Sequence, residues 1–313
     1  MKRLAFVTTV LVIIIFSSVQ KVSAQYYFYD NKYYDNPIIY ELGGSVGMIN
    51  CLTDLGGKKG IGKKFIKDLN YGNTQFSGGL YASLTYKNMF SIRIEGTYGQ
   101  VKAHDSILKS IKTSVYGRYE RNLSFRSTIS EISLLTEIHP IHIFGNFEGR
   151  DQDPPRYSPY LLAGIGYFSF NPQTKLNNNW VDLQPLSLEG QGFKEYPDRK
   201  KYELKQICIP VGVGLKYELN SMLNLRAEIV YRILSTDYLD DVSNRDYIDP
   251  ALFSNYFTGT KLTNALLLNN RHYELNPSYI YAGEERGNPN NKDGYFTVNF
   301  KCGLILGRER IRK

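Results

Sequence analysis

Tryptophan, cysteine and long apolar runs are scarce in this chain of 313 residues, and each scarcity excludes a class of protein. There is one Trp, and the three cysteines are Cys51, Cys208 and Cys302. An odd cysteine count excludes a complete disulfide framework, and the wide spacing offers no zinc pair. Beyond residue 24 no apolar run is long enough for a membrane-spanning helix. A mean hydropathy of −0.34 excludes a multi-span helical membrane protein.

Sequence motifs for catalysis are also missing. The chain contains no G-x-S-x-G, H-E-x-x-H or P-loop pattern. His139 and His142 are three residues apart across a proline, and we interpret them as loop residues rather than metal ligands. A lipid-modifying barrel enzyme would need a His/Ser pair near one rim, and His104 and Ser106 could form one, as residues of most loops could. The sequence therefore predicts a protein that is not an enzyme and that uses no cofactor or metal.

The N-terminal segment has the features of a secretory signal peptide. Lys2 and Arg3 precede an apolar stretch over residues 4–16, and residues 22–24 end in a small-residue cleavage site. We expect residues 1–24 to be removed, which lowers the formal net charge from +8 to +5 because three basic residues are lost. No basic stripe is present, so no nucleic-acid partner is expected.

Apolar and polar residues alternate with a period of two in eight segments, which is the pattern of half-buried β-strands. These segments are 39–49, 76–86, 90–98, 126–138, 157–170, 206–217, 223–233 and 295–306. In 157–170 both faces are apolar, so the register of this strand stays open.

The connections between these segments alternate in length. Long loops are expected at 50–75, 101–125, 171–203 and 237–294, and between them lie two tight turns and an intermediate loop, 139–157. Outer-membrane barrels have this asymmetry, and strands of about 10 residues are long enough to cross a bilayer when tilted. We therefore predict an all-β fold, an eight-stranded antiparallel transmembrane β-barrel over residues 38–306. A lead-in at 25–37, a basic tail at 307–313 and periplasmic termini complete the prediction.

The polar faces of these strands carry five acids and five bases. They are Glu41, Arg93, Glu95, Glu131, Glu137, Lys216, Arg226, Glu228, Arg232 and Lys301. In a soluble barrel such as a lipocalin the polar face would be the outer surface and the apolar face the core. In a membrane barrel it would face a narrow lumen, where buried charges must be paired. Eight strands enclose a space that side chains fill, so a wide pore is not expected.

The acidic stretch 237–241 contains Asp237, Asp240 and Asp241. Its oxygens could bind calcium, but it lacks the spacing and the glycine of an EF-hand. We interpret it as a solvated loop or an aspartate-capped turn.

Several of these segments resemble a family of outer-membrane barrels from Bacteroidetes, the PorG-like family of the type IX secretion system. The resemblance is carried by strand segments 160–166 and 209–217 and by two loop motifs, 183–192 and 236–243. The more specific loop positions are Gln184, Pro185, Glu189, Gly190, Gly192, Asp237, Tyr238, Asp240 and Asp241. The resemblance implies a non-enzymatic barrel that tethers a periplasmic ring of PorK and PorN type proteins to the outer membrane.

A tether would contact its partner through periplasmic features. The candidate contact residues are His139, His142, Arg308, Arg310 and Arg312. Outer-membrane lipid is the second expected partner. The alternatives are a surface barrel, an adhesin or small-ligand receptor that acts through its long outer loops, and a soluble periplasmic ligand carrier.

Overall fold

The computed structural model describes residues 37–55, 69–107, 109, 116–145, 155–220, 222–244, 246–275, 286–289 and 292–306. All of them belong to the second of two units into which the chain divides, Pro37–Lys313. The expected signal peptide, the lead-in apart from Pro37, and the basic tail lie outside the described residues.

Ten described strands form one antiparallel sheet. They are β1 (Ile38–Leu52), β2 (Gln75–Tyr86), β3 (Phe90–His104), β4 (Ser124–Ile138), β5 (Tyr157–Ser169), β6 (Pro172–Leu176), β7 (Asn179–Asp182), β8 (Lys205–Glu218), β9 (Leu223–Leu234) and β10 (Gly294–Leu306). Eight of them close into a barrel in the order β3-β2-β1-β10-β9-β8-β5-β4, and a β3–β4 pairing completes the ring. The predicted eight-stranded antiparallel barrel is confirmed.

Tight turns lie at one end of the barrel, together with the beginning of β1 and the end of β10. We call this the short-turn end and the opposite end the long-loop end. Residues 87–89 link β2 to β3, one residue more than the two-residue link expected. Lys87 and Asn88 have φ angles of 49° and 56°, the left-handed pair of a tight hairpin turn, and the Met89 N–H donates to the Tyr86 carbonyl at 2.9 Å. At the β8–β9 turn the Asn220 side chain accepts hydrogen bonds from the backbone N–H groups of Met222 and Leu223 at 2.9 Å each. These turns set the register of both hairpins.

The outward faces of the barrel strands form an apolar band. Tyr86, Phe90, Tyr157 and Tyr217 mark its border near the short-turn end, and Phe76, Tyr98, Tyr167, Tyr231 and Phe296 mark the other. Between these girdles the outward positions of the described strands carry no charge. Phe90 and Tyr98 are separated by about 26 Å of strand, which at a tilt of about 40° spans about 20 Å of the roughly 25 Å apolar band of outer-membrane barrels. Large side chains such as Leu80 (75% exposed) and Val46 (69% exposed) therefore face lipid.

The inward faces resolve the open register of the fifth predicted strand. Tyr160, Leu162 and Phe168 are buried, whereas Leu161 and Ile165 are each 54% exposed. Both faces are apolar because one contacts lipid and the other fills the lumen. The sequence could not decide between them, since alternation needs one polar face.

Beyond the second girdle the described parts of the long loops fold into a packed cap. It contains the β6–β7 hairpin and the helices α1 (Tyr116–Arg121), α3 (Phe253–Tyr256) and α4 (Gly259–Asn269), while α2 (Pro140–Phe144) lies at the short-turn end. One buried apolar cluster joins cap side chains such as Leu188, Leu239 and Phe253 to strand residues such as Ile49 and Phe168. No described helix is both long and apolar enough to cross a membrane.

Candidate functional site

The ten charged residues of the polar faces line the lumen, and the structure pairs them. None is more than 7% exposed. Successive side chains of a strand point to opposite faces, so these residues, which alternate with the lipid-facing apolar residues, point into the lumen.

Two arginines link most of this network. The Arg226 guanidinium contacts Glu41 at 2.8 Å and Glu137 at 2.8 Å. Arg93 contacts Glu137 at 2.6 Å and Glu95 at 3.0 Å. Each carboxylate is shared between bases, so the network holds together as a unit rather than as separate pairs.

The remaining basic residues lie at the edges of the charge network. Lys301 lies 3.0 Å from Glu228, and Lys216 lies 3.9 Å from Glu41. Arg232 and Glu131 form a separate pair at 3.0 Å, nearer the long-loop end. Four acids therefore balance four bases in the main group, and one pair stands apart.

Two tyrosines belong to this network although the charge pattern did not reveal them. The Tyr81 hydroxyl donates to Glu41 at 2.5 Å, and the Tyr160 hydroxyl donates to Glu228. The Arg226 guanidinium lies 5.4 Å from the Tyr81 ring and 5.7 Å from the Tyr160 ring. The alternation of β2 placed Tyr81 on its polar, inward face, which was a signal that Tyr81 could join the network. For Tyr160 no such signal was available, because both faces of its strand are apolar.

Glycines make room for these rings. A Cβ at Gly43 would overlap the Tyr81 ring, and a Cβ at Gly214 would overlap the Tyr160 ring. A Cβ at Gly303 would meet Glu41 and Tyr81. The lumen is therefore filled to the point where a methyl group does not fit, and the barrel interior is closed rather than open as a channel.

The two loop motifs come together in the cap. Glu189, from the first motif, accepts hydrogen bonds from the backbone N–H groups of Ser243 (3.1 Å), the last residue of the second motif, and of Asn244 (3.0 Å), which follows it. Arg286 lies 3.2 Å from Glu189 and 3.7 Å from Asp241. The motifs are thus one structural element, held by a buried arginine.

Tyr202 joins the same element. Its hydroxyl donates to Asp241 at 2.6 Å, its ring stacks on Tyr238 at 4.7 Å, and its carbonyl accepts from Gln184 at 3.0 Å. Pro185 lies in the first turn of the 3-10 helix Gln184–Leu186.

Two glycines of the first motif have positive φ angles. Gly190 has φ of +74° and Gly192 of +82°, and a Cβ at Gly190 would meet the Tyr196 ring at 2.7 Å. Both the left-handed backbone and the close ring favour glycine here.

Residues 239–241 of the acidic stretch are buried, so it is not a solvated loop, and the Asp240 carboxylate caps a turn, which is the second of our two interpretations. Asp240 is 1% exposed and accepts from the N–H groups of Val242 (3.0 Å) and Leu55 (3.1 Å). Asp237 accepts from the Ser243 hydroxyl at 2.8 Å. Packing of Leu239 into the cap core draws the flanking aspartates inside, where backbone N–H groups satisfy Asp240 and the Tyr202 hydroxyl donates to Asp241. Among the described residues no cluster of His, Cys, Asp or Glu could hold a metal ion.

Burial changes the protonation of this cluster. It raises the pKa of Asp237 and of Asp241 to about 7. Burial and neighbouring carboxylates hold the pKa of Asp240 and of Asp293 well above the ordinary range. The Arg286 guanidinium opposes the rise at Asp241. Part of the cap is therefore protonated near neutral pH.

The predicted contact residues occupy different environments. His139 is 1% exposed, and its ring hydrogen-bonds to Ser158 (2.9 Å) and Ser91 (3.3 Å) inside the barrel. It is therefore a lumen residue rather than a surface one. His142 is partly buried in α2, beside Phe144, which is 86% exposed. Arg308, Arg310 and Arg312 lie outside the described residues.

His104 and Ser106 are within hydrogen-bonding distance, at 2.8 Å between Nδ1 and Oγ. The contact is local and exposed. A catalytic base also needs a third group to orient its ring, and no described carboxylate hydrogen-bonds to His104.

A closed ring of eight antiparallel strands, an apolar outer band and a charged, filled lumen define a transmembrane β-barrel of the outer-membrane type. The family model "Domain of unknown function (DUF6089)" matches residues 26–259, and the chain belongs to this family. No curated protein sequence matches the chain.

Several solved outer-membrane barrels are similar in structure. The Neisserial surface protein A has 9% identity and a TM-score of 0.36, and the match covers 85% of this chain and 96% of that one. OprG from Pseudomonas aeruginosa has 10% identity and a TM-score of 0.34, with coverage of 86% and 95%. Ail from Yersinia pestis has 10% identity and a TM-score of 0.33, with coverage of 86% and 97%.

Proposed function

We propose that this protein is a non-enzymatic barrel of the outer membrane that anchors the periplasmic ring of the type IX secretion machinery. The ring would be built from proteins of PorK and PorN type, as the family resemblance of the loop motifs implies. The signal segment delivers the chain to the periplasm, and the short-turn end faces that compartment.

The observation that carries the proposal is the closed interior. The interlinked charges of the main group span the lumen, and the packed cap covers the long-loop end. A filled eight-stranded barrel conducts no protein and no large solute. What it offers is a rigid membrane anchor with two end surfaces.

The short-turn end supplies a contact surface for the ring. Helix α2 projects from it, and Phe144 is 86% exposed while Leu219 of the neighbouring turn is 48% exposed. Exposed apolar side chains next to a polar rim are typical of protein contact sites.

The first test is the secreted proteome of a strain that lacks this gene. Loss of the proteins that carry the C-terminal sorting domain of type IX cargo, restored by complementation, is the expected result. An unchanged secretome would favour the alternative, a surface barrel that acts through its cap. The convergence of both loop motifs in an ordered cap supports that second candidate.

A photocrosslinker at position 144 tests the contact directly. Capture of ring proteins from position 144, but not from Lys200 in the cap, is expected. Capture of lipopolysaccharide or peptidoglycan alone at position 144 would contradict a tether at this surface.

A further inference from the structure

The strand ends beyond the second girdle carry a basic outer surface. β3, β4, β6 and β7 continue there as a four-stranded sheet, and its outward face bears Lys102, Arg126, Gln173, Lys175, Trp180 and Asp182. We call these six residues the basic face. The charge network and the cap core lie on the other side of this sheet, so neither accounts for it.

Two bases of this face are direct neighbours. Lys102 pairs with Arg126 in the β3–β4 register, and Arg126 pairs with Gln173. Like charges directly opposite on one sheet face repel, which destabilises the pair unless an anion lies between them. Neither residue forms an ion pair with a described carboxylate.

Arg126 is held in place by uncharged groups. Its guanidinium carbon lies 3.3 Å from the centre of the Trp180 ring, and its Nε donates to Gln173 at 3.2 Å. The two terminal nitrogens donate to no described acceptor. A stacked guanidinium with free terminal nitrogens is oriented to bind a phosphate oxygen.

Asp182, the one acidic residue of the basic face, already accepts hydrogen bonds from neighbouring amides. Asp182 accepts from the Gln173 amide at 2.6 Å and from the Asn171 amide at 3.0 Å. Three bases and one acid leave an excess of two positive charges.

The height of the face relative to the membrane identifies the anion. Lys102 follows Tyr98 of the second girdle by four residues, about 13 Å along the strand and about 10 Å of height at a tilt of about 40°. The headgroup layer extends about 5–7 Å beyond the hydrocarbon on each side, and long basic side chains reach down into it. Tryptophan also favours this interface.

We propose that the basic face binds the phosphate of a phosphorylated lipid headgroup in the leaflet at the long-loop end. Lys102, Arg126 and Lys175 donate to the phosphate oxygens, and Trp180 packs beside the headgroup. This inference is independent of any secretion role, since it concerns the membrane rather than a protein partner.

The single tryptophan makes the binding measurable in the full chain. The protein in neutral detergent micelles is titrated with lipid A that carries two phosphates, and Trp180 emission is recorded. A saturable change is expected with this lipid and none with the same lipid after removal of its phosphates.

The variant Lys102→Gln with Lys175→Gln removes two charges and keeps the stack of Arg126 on Trp180. Each basic residue at an anionic surface contributes about a fivefold gain in affinity, so binding should weaken about 25-fold. Lys200→Gln, an exposed cap lysine, is the matched control and should bind as the wild type does. Migration of unboiled samples in gels shows that each variant is folded.

Equal affinity of the wild type and the double variant would overturn the proposal. So would an equal response to the dephosphorylated lipid. Saturation by inorganic pyrophosphate in lipid-free micelles, with the same sensitivity to the two substitutions, would assign the face to a soluble anion instead.

Discussion

The Glu131–Arg232 pair offers the cleanest test of the lumen architecture. Arg232 on β9 contacts Glu131 on β4 at 3.0 Å, across the barrel interior. Neither residue is more than 4% exposed, and neither forms an ion pair with the other eight members of the network. Thr297 accepts from Arg232 at 2.6 Å and Tyr295 donates to Glu131 at 2.8 Å. A change here therefore leaves the main group intact.

The magnitude follows from the separation of the charges. At 3.0 Å and an effective dielectric constant of about 20, the attraction is about 5.5 kcal/mol, and desolvation of both groups offsets much of it. Removing one partner by Arg232→Met leaves Glu131 buried and unpaired, which should lower the free energy of unfolding by about 3–5 kcal/mol. The double variant with Glu131→Gln carries no unpaired charge and should lose only about 1–2 kcal/mol.

The assay is denaturant unfolding of the protein in lipid vesicles, followed by Trp180 emission and by migration of unboiled samples. We expect the double variant to be more stable than the Arg232→Met variant. Glu203→Gln, an exposed residue, serves as the control and should change the free energy of unfolding by less than about 0.5 kcal/mol. A double variant that loses the sum of the two single losses would refute the pairing, because independent sites are additive.

Three further predictions concern other parts of the chain. Gly303→Ala should destabilise the barrel by about 1–3 kcal/mol because its Cβ would meet two lumen side chains, whereas Gly96→Ala, with nothing within 4 Å of its Cβ, should be neutral in the same unfolding assay. Cys302 is exposed on the lipid-facing surface and the other two cysteines are buried. In folded protein an apolar maleimide should therefore label one thiol by mass spectrometry, and labelling of three would contradict this. Asp293 binds a proton more tightly when folded, so cap stability is complete below the unfolded pKa of about 4 and falls as the pH rises above it. Asp293→Asn should weaken this fall, measured as protease resistance of the cap between pH 5 and 8, and an unchanged profile would exclude Asp293 as its source.

Strand content and lumen chemistry could be predicted because both depend on local order. Alternation has a period of two, so a residue such as Arg93 faces the lumen wherever Ile92 and Ile94 face lipid. Closure of eight strands then makes the polar faces meet, so the five acids and five bases form ion pairs with one another inside the lumen. The strand boundaries differ mainly at the long-loop end, where β3 extends to His104 rather than ending at residue 98.

Contacts between loops could not be predicted in this way. The β6–β7 hairpin turns at Asn177 and Asn178, with φ angles of 49° and 67°, and this Asn-Asn pair was the available local signal. Ala265 and Leu268 of α4 are fully buried at helical spacing, inside a segment expected to be loop. Short elements of this kind are stabilised by the core that they join rather than by their own propensity.

The sequence by itself determined the barrel, its lipid-facing surface and the charge balance of its lumen. The reason is that the alternation of strand faces depends only on the order of neighbouring residues along the chain. Tertiary structure decided which charges pair, the inward position of Tyr160, and the burial of residues 239–241 in the acidic stretch. The residues of the cap come from loops far apart in sequence. Glu189 lies in the loop before β8 and Ser243 in the loop after β9, and they meet because β8 and β9 are neighbours in the barrel. Burial of those carboxylates is a property of the packed cap, because a run of aspartates in the sequence does not show whether it will be solvated or buried.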